Sequence, residues 1–119
     1  MLQQLGGEVI SVDKAPLDPA VVALPRVRFL QESAFGLAPE SLGRVDWVLC
    51  DVACYPERLL GLVQRWLDSG VCARFVCTVK LQGAADQGVL ERFAAIAGSR
   101  LVHLFHNKHE LTWIRLPPA

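Results

Sequence analysis

Apolar residues recur along this chain with two different spacings. Short apolar runs that stop at a charged or polar residue predict β-strands. Four such runs occur in the first two thirds of the chain: Glu8–Val12, Val27–Leu30, Val45–Cys50 and Ala73–Leu81. Apolar residues three and four positions apart predict helices. These segments are Leu17–Leu24, the stretch from Pro56 to Gly70, and the stretch from about Gln87 to Ala97.

The alternation of strands and helices predicts an α/β fold with a mostly parallel sheet. The stretch Arg100–Leu116 contains two further apolar runs, which predict an antiparallel hairpin turning near Asn107–His109. Val45–Cys50 is an almost unbroken apolar run, which is typical of a strand buried on both faces. We therefore expect helices to cover both faces of the sheet at this strand.

Residues with known capping preferences mark the predicted helix ends. Asp18 is the expected N-cap of the first helix, with Pro19 at its first position. Pro56 opens the second helix and Gly70 ends it. Asp86 is the expected cap of the third helix.

The predicted helices each present one apolar stripe. The residues expected to be buried on the second helix are Leu59, Leu60, Val63, Trp66 and Leu67. Those on the third helix are Leu90, Phe93 and Ile96. Residues 2–5 are expected to end a preceding helix, stopped by Gly6 and Gly7.

Composition limits the classes of function. The 119 residues suit one domain, 1–119, and 52% hydrophobic residues can fill its core. Acidic and basic residues balance at 12 each, so a broad basic field for nucleic acid is missing, although a local basic patch remains possible. No apolar stretch reaches the ~18 residues of a membrane span, and the first residues lack a signal-peptide layout. We expect a cytoplasmic protein.

The metal-binding residue types do not show a metal-site spacing. The four cysteines, Cys50, Cys54, Cys72 and Cys77, include no C-x-x-C pair, and we expect them to be buried free thiols. The histidines at 103, 106 and 109 lie three apart, so on a strand they would point to opposite faces. No metal site is expected. The three tryptophans each lie in an apolar pattern and are expected in the core.

Three charged residues are expected at one edge of the sheet. Asp51 directly follows the predicted strand Val45–Cys50, and Lys80 lies at the far end of the next strand, Ala73–Leu81. Glu110 begins the last strand. If the last strand is antiparallel, its start lies at the edge where the other strands end, which is where open α/β sheets bind ligands. Two nearby carboxylates would favour the charged ammonium form of the lysine, whereas burial would favour its neutral amine form. A lysine under these opposing influences can be held in place and act as a general base. Unrelated surface charges at strand ends are the equally weighted alternative.

Several strings of this sequence resemble a known enzyme family. CDVACYP, TVKLQG and KHELTWI look like three motifs of the FtsJ-like (RrmJ-like) S-adenosylmethionine-dependent RNA 2′-O-methyltransferases. The strings nearest to the M-type large-subunit rRNA enzymes of that family are SVDKAPLDPAV, VRFLQESAF, VDWVLCDV, RWLDSGVCARFVCTVKL and LFHNKHELTWI. The resemblance extends over nearly the whole chain. It implies a Rossmann-like methyltransferase sheet and methylation of a ribose 2′-hydroxyl, that of a cytidine in 23S rRNA for the M type.

The resemblance also assigns roles to individual residues. Asp51, Lys80 and Glu110 fall on the second, third and fourth members of the family's Lys-Asp-Lys-Glu tetrad. It implies that Lys80, set by the two acids, deprotonates or orients the 2′-hydroxyl, and that positioning supplies much of the catalysis. Asp51 would also lie near the methionine end of S-adenosylmethionine. Asp13 would bind the cofactor ribose, a role that acids at this place in Rossmann-like folds commonly have.

The sequence departs from the family's pattern in three places. The family's first strand and glycine-rich turn should precede residue 1, and its first tetrad lysine has no counterpart, since Lys14 and Lys108 match other places. Ser33 stands where relatives have an aspartate that binds adenine, and a serine keeps the hydrogen bond without the charge. The alternative function is a non-catalytic remnant that acts as a binding or scaffold module.

The missing strand would lie in the middle of the family's sheet, between Glu8–Val12 and Val45–Cys50. Three arrangements remain open: the two strands pair directly, another chain fills the gap, or an edge stays exposed, which proteins tend to avoid. We expect an N-terminally incomplete methyltransferase domain that forms a homo-oligomer to cover this edge.

Overall fold

A computed structural model of the chain describes residues 7–83, 86–103 and 109–117. The predicted helix end at residues 2–5 and the side chains of His106 and Lys108 lie outside these residues. The chain divides into two compact units, Met1–Ala38 and Pro39–Ala119. Across the described ranges, no helix has both the length and the apolar character needed to cross a membrane.

The first unit contains two parallel strands and one short helix. Its elements are β1 (Val9–Asp13), α1 (Pro19–Val22) and β2 (Val27–Gln31). In the register of β1 and β2, Val9 lies opposite Val27 and Asp13 opposite Gln31.

The cap predicted for α1 is confirmed. The Asp18 carboxylate accepts a hydrogen bond from the Ala20 N–H at 2.8 Å. The helix makes only one turn and is shorter than the predicted Leu17–Leu24. Pro25 explains the early end, because the residue before a proline is disfavoured in the α conformation.

The second unit contains a four-stranded sheet. Its elements are a 3-10 helix (Pro39–Leu42), β3 (Val48–Cys50), α2 (Pro56–Ser69), β4 (Phe75–Lys80), α3 (Gln87–Ala94), β5 (Ser99–Val102) and β6 (Glu110–Arg115). The strand order is β3-β4-β6-β5. β3 and β4 are parallel, and β6 is antiparallel to both β4 and β5, so the predicted C-terminal antiparallel pair is confirmed.

The core of the second unit lies on one face of this sheet. Alternate residues of β4 are fully buried, and they are Phe75, Cys77 and Val79. The Trp113 ring of β6 lies between two phenylalanines, with centroids 5.7 Å from Phe75 and 5.5 Å from Phe93 of α3. Its indole N–H donates to the Phe93 carbonyl oxygen at 3.3 Å, so the buried polar atom has a partner.

The predicted ends of α2 are confirmed, and so is its buried face except at Leu67, which is only partly buried. Pro56 occupies the first turn, and Gly70 follows the last residue in the left-handed region at φ 72°. The Gly70 N–H donates to the Leu67 carbonyl oxygen at 3.2 Å. The buried residues of the helix are Pro56, Leu59, Leu60, Leu62, Val63 and Trp66.

α3 differs from its prediction in length, buried face and cap. It ends at Ala94, and its buried residues are Val89 and Phe93, while Leu90 and Ile96 are only partly buried. The Asp86 carboxylate makes no helix-capping bond and instead accepts hydrogen bonds from the N–H groups of Gln82 and Gly83 in the preceding loop. The aspartate therefore closes the loop after β4.

The prediction that Val45–Cys50 is a strand buried on both faces is wrong. The strand is three residues long, and Leu49 is 56% exposed. Trp47 is 45% exposed, so the prediction that it belongs to the core is also wrong, whereas Trp66 and Trp113 are buried as predicted. The physical reason is position, because in the described residues β3 pairs with β4 alone and forms an edge of its sheet.

Candidate functional site

The three charged residues predicted at one sheet edge lie together in the second unit. The Lys80 ammonium nitrogen is 3.3 Å from the Asp51 carboxylate and 4.0 Å from that of Glu110. The side chain of Lys80 is 28% exposed, that of Glu110 37% and that of Asp51 75%. The cluster is therefore accessible to a ligand, and the lysine is its most protected member.

The sheet register explains why these residues meet. Lys80 and Glu110 are directly opposite each other at the last paired position of β4 and β6. Asp51 follows the end of β3, which runs parallel to β4, so it reaches the same edge. Because side chains alternate along a strand, Lys80 projects from the face opposite to Phe75, Cys77 and Val79.

The arrangement suits hydrogen bonding to an incoming oxygen atom. A lysine ammonium carries three N–H donors, and two carboxylates lie within ion-pairing distance of it. Asp51 at 3.3 Å is within hydrogen-bonding distance of the ammonium, whereas Glu110 at 4.0 Å is an ion-pair partner only. The ammonium can therefore also donate to a hydroxyl or another ligand oxygen.

The two other predicted binding residues lie in the first unit. Asp13 is the exposed last residue of β1, and its carboxylate accepts the Ala15 N–H at 3.1 Å. Ser33 follows β2, and its hydroxyl oxygen accepts the Phe35 N–H at 3.2 Å. Both side chains thus lie at the carboxyl ends of parallel strands and are held by their own loops.

The four cysteines are free, but only two are buried as predicted. Cys72 and Cys77 are buried, whereas Cys50 and Cys54 are partly exposed, because they lie in and after the edge strand β3. Cys50 is directly opposite Cys77 in the register of β3 and β4. Sequence reasoning missed this pair, since the alignment of two strands cannot be read from residue spacing.

The paired thiols differ in their acidity. A hydrogen bond from the Cys77 thiol lowers the pKa of Cys50 to about 7, against the opposing effect of burial. The same hydrogen bond, followed by burial, raises the pKa of Cys77. Burial also raises the pKa of Cys54. Cys50 therefore has the greatest thiolate character of these three.

A concave surface lies at the opposite end of β3 and β4. It encloses about 520 Å³ and is lined by residues that precede these strands, among them Arg44, Asp46, Cys72 and Arg74. These residues precede the amino ends of the parallel strands, whereas the charged cluster lies at their carboxyl ends. This concavity is therefore separate from the charged cluster.

Comparison with known proteins finds a consistent group of relatives. Proteins named ribosomal RNA large subunit methyltransferase M are similar to the chain. The protein from Alkalilimnicola ehrlichii is 36% identical to it and aligns with 100% of the chain. The protein from Chromohalobacter salexigens is 31% identical over 93% of the chain. The protein of the same name from Aromatoleum aromaticum is 29% identical over 93% of the chain. The aligned part is 34%, 34% and 32% of these relatives, respectively. No family model matches the chain.

The chain is similar over its whole length to one part of these methyltransferase M proteins, which is consistent with a partial domain of that type. It spans about a third of the length of the curated relatives it matches. The family resemblance seen in the sequence motifs is thereby confirmed. The part of the chain that aligns with the Alkalilimnicola ehrlichii protein includes both units, and so both the Asp51–Lys80–Glu110 cluster and the polar residues Asp13, which ends β1, and Ser33, which follows β2.

Proposed function

We propose that the chain is part of an S-adenosylmethionine-dependent methyltransferase that acts on a ribose 2′-hydroxyl of ribosomal RNA, that of a cytidine in 23S rRNA. The observation that carries this proposal is Lys80 held between Asp51 and Glu110 at the carboxyl edge of the sheet. The similarity of the whole chain to methyltransferase M supports it. An unrelated protein with a similar charged cluster would not show this sequence similarity to methyltransferase M.

Lys80 is the proposed catalytic residue. Its side-chain nitrogen helps to deprotonate the ribose 2′-hydroxyl or to orient it for reaction. Asp51 and Glu110 hold the lysine in place as its ion-pair partners. The rigid β4–β6 register supplies the positioning on which such a reaction depends.

The residues present fit parts of the cofactor. S-adenosylmethionine, when bound, supplies a methyl group on a positively charged sulfur. The Asp51 carboxylate, 75% exposed, suits the cationic methionine end. The exposed Asp13 carboxylate suits the two ribose hydroxyls, and the Ser33 hydroxyl keeps a proton to donate to adenine.

A non-catalytic binding or scaffold module is the second candidate. Among the described residues β3 pairs with β4 alone, so its other side is open for pairing. A module that binds another polypeptide would use this edge. It would need neither the cofactor residues nor Lys80.

Isothermal titration calorimetry with S-adenosylmethionine separates the two candidates. We expect the chain to bind the cofactor in the micromolar range, and Asp51→Asn to weaken binding about tenfold, which corresponds to about 1.4 kcal/mol. Asp46→Asn is the matched control, because Asp46 is also an exposed aspartate but lines the concavity at the other end of the sheet. Absence of heat with the unmodified chain would favour the scaffold module. An equal loss in both variants would show that Asp51 has no specific role.

We also propose that a second copy of the chain covers the open edge of β3. The Val48 N–H donates to the Arg74 carbonyl oxygen next to β4, so the backbone groups of Leu49, the next residue, point away from β4. Trp47 and Leu49 add exposed apolar surface to the same edge. Such an edge is a template for pairing with another strand.

A further inference from the structure

Cys50 and Cys77 are positioned to form a disulfide bond. They are register partners on neighbouring strands, and paired residues project to the same face of a sheet. Neighbouring strands lie about 4.8 Å apart. This spacing falls within the ~4.4–6.8 Å that separates the Cα atoms of a disulfide. Register partners on neighbouring strands thus satisfy the Cα spacing that a disulfide requires.

The two thiols are in unequal surroundings. Cys50 is partly exposed at the end of an edge strand, so small solutes reach it. Cys77 is completely buried in the core, beside Cys50 and away from solvent. A hydrogen bond joins their side chains and stabilises the Cys50 thiolate. A thiolate next to a protected second thiol is the arrangement found in oxidation-sensitive cysteine pairs.

We propose that Cys50 and Cys77 form a redox-active pair, which hydrogen peroxide converts into an intramolecular disulfide through initial oxidation of Cys50. The two thiols take no part in the proposed methyl transfer, but Cys50 directly precedes Asp51, and the charges of Asp51 and Lys80 both influence the pKa of Cys50. Cys50 and Cys77 project to the helix-covered face of the sheet, and Lys80 projects to the other face.

The chemistry balances with hydrogen peroxide as the oxidant. The Cys50 thiolate, which has lost its proton to solvent, bonds to one peroxide oxygen while the O–O bond breaks, and the departing hydroxide takes a proton and becomes water. Cys50 is then a sulfenic acid. The Cys77 sulfur bonds to the Cys50 sulfur, the S–O bond breaks, and the departing hydroxide leaves as water with the Cys77 proton. Two thiols and one peroxide thus give one disulfide and two waters.

The other two cysteines provide internal controls. Cys54 lies in the loop between β3 and α2, and burial holds its thiol protonated. The Cys72 thiol is buried and donates to the Arg74 carbonyl oxygen at 3.2 Å, at the opposite end of β4. We expect both to react more slowly than Cys50.

The test is a timed treatment of the folded, reduced chain with hydrogen peroxide, followed by alkylation and peptide mapping by mass spectrometry. We expect one linked peptide pair, Cys50 with Cys77, that lacks two hydrogen atoms and is restored by dithiothreitol. Dimedone added during the reaction should label Cys50 first, because it traps the sulfenic acid. A Cys50–Cys54 link, a link between two chains, or a Cys50 that stays reduced would each overturn the proposal.

Two variants test the assignment of the partner. Cys54→Ser should leave the Cys50–Cys77 link unchanged, whereas Cys77→Ala should abolish it and leave Cys50 labelled by dimedone. Circular dichroism shows whether Cys77→Ala, a core substitution, still folds. If it does not, the peptide map of the unmodified chain decides the question alone.

Discussion

At the scale of single residues, the charged cluster contributes little to stability. Ion pairs between partly exposed groups contribute about 0–1 kcal/mol, since water screens them. Asp51 is 75% exposed and Lys80 28% exposed, so their 3.3 Å pair belongs to this class. Stability instead comes from buried side chains such as Trp113, which is 0% exposed.

The two tryptophans with opposite burial provide a test of this contrast. Trp113→Ala removes a ring packed between Phe75 and Phe93, and we expect a loss of about 3–5 kcal/mol in the free energy of unfolding. Trp47→Ala is the matched control, because Trp47 is 45% exposed, and we expect a loss of about 1 kcal/mol or less. Urea unfolding followed by circular dichroism measures both. Equal losses would mean that Trp47 is buried in solution.

At this scale, the position of a residue could be predicted when it depended on the strand in which the residue lies, but not when it depended on how two strands pair. Asp51, Lys80 and Glu110 could be placed at one edge because strand ends and an antiparallel last strand determine where they lie. The pairing of Cys50 with Cys77 could not be predicted, since it depends on the register between two strands. Trp47 was misplaced because an apolar pattern does not reveal whether a strand has a neighbour on each side.

At the scale of elements, local chemistry determines the helix ends. Pro56 and Gly70 begin and end α2 as predicted, because proline presets the first turn and glycine adopts the left-handed conformation after the last one. α3 was less predictable. Its Asp86 carboxylate bonds the loop that precedes it, which only the three-dimensional path of residues 82 and 83 shows.

Two glycines, one inside α2 and one directly after it, should respond in opposite ways to alanine. Gly70 has φ 72°, so Gly70→Ala places a side chain in the left-handed region and should destabilise the chain by about 1–2 kcal/mol. Gly61 lies inside α2 with open space around an added Cβ, so Gly61→Ala should stabilise it by about 0.5–1 kcal/mol. Thermal unfolding of the two variants measures the signs. A stabilising Gly70→Ala would contradict the observed cap.

At the scale of the whole molecule, the described residues form two parallel strand pairs, one in each compact unit. β1 pairs with β2 in the first unit, and β3 with β4 in the second. The sequence predicted each strand, but it left open whether the first and third would pair directly; in the described residues they do not. Strand pairing across such a distance in sequence has no local signal, which is why this part of the fold required the structure.

The open edge of β3 leads to a prediction about assembly. If a second copy covers this edge, light scattering will detect a dimer that dissociates when Leu49, 56% exposed, is changed to lysine, because a charged side chain on an edge strand opposes pairing. Leu116→Lys is the matched control, since Leu116 is 49% exposed but lies beyond the end of β6, and it should leave the dimer intact. A folded monomer of the unmodified chain would contradict the proposed assembly. If both substitutions dissociated the dimer, the contact would lie elsewhere, because pairing at β3 predicts that only the Leu49 substitution dissociates it.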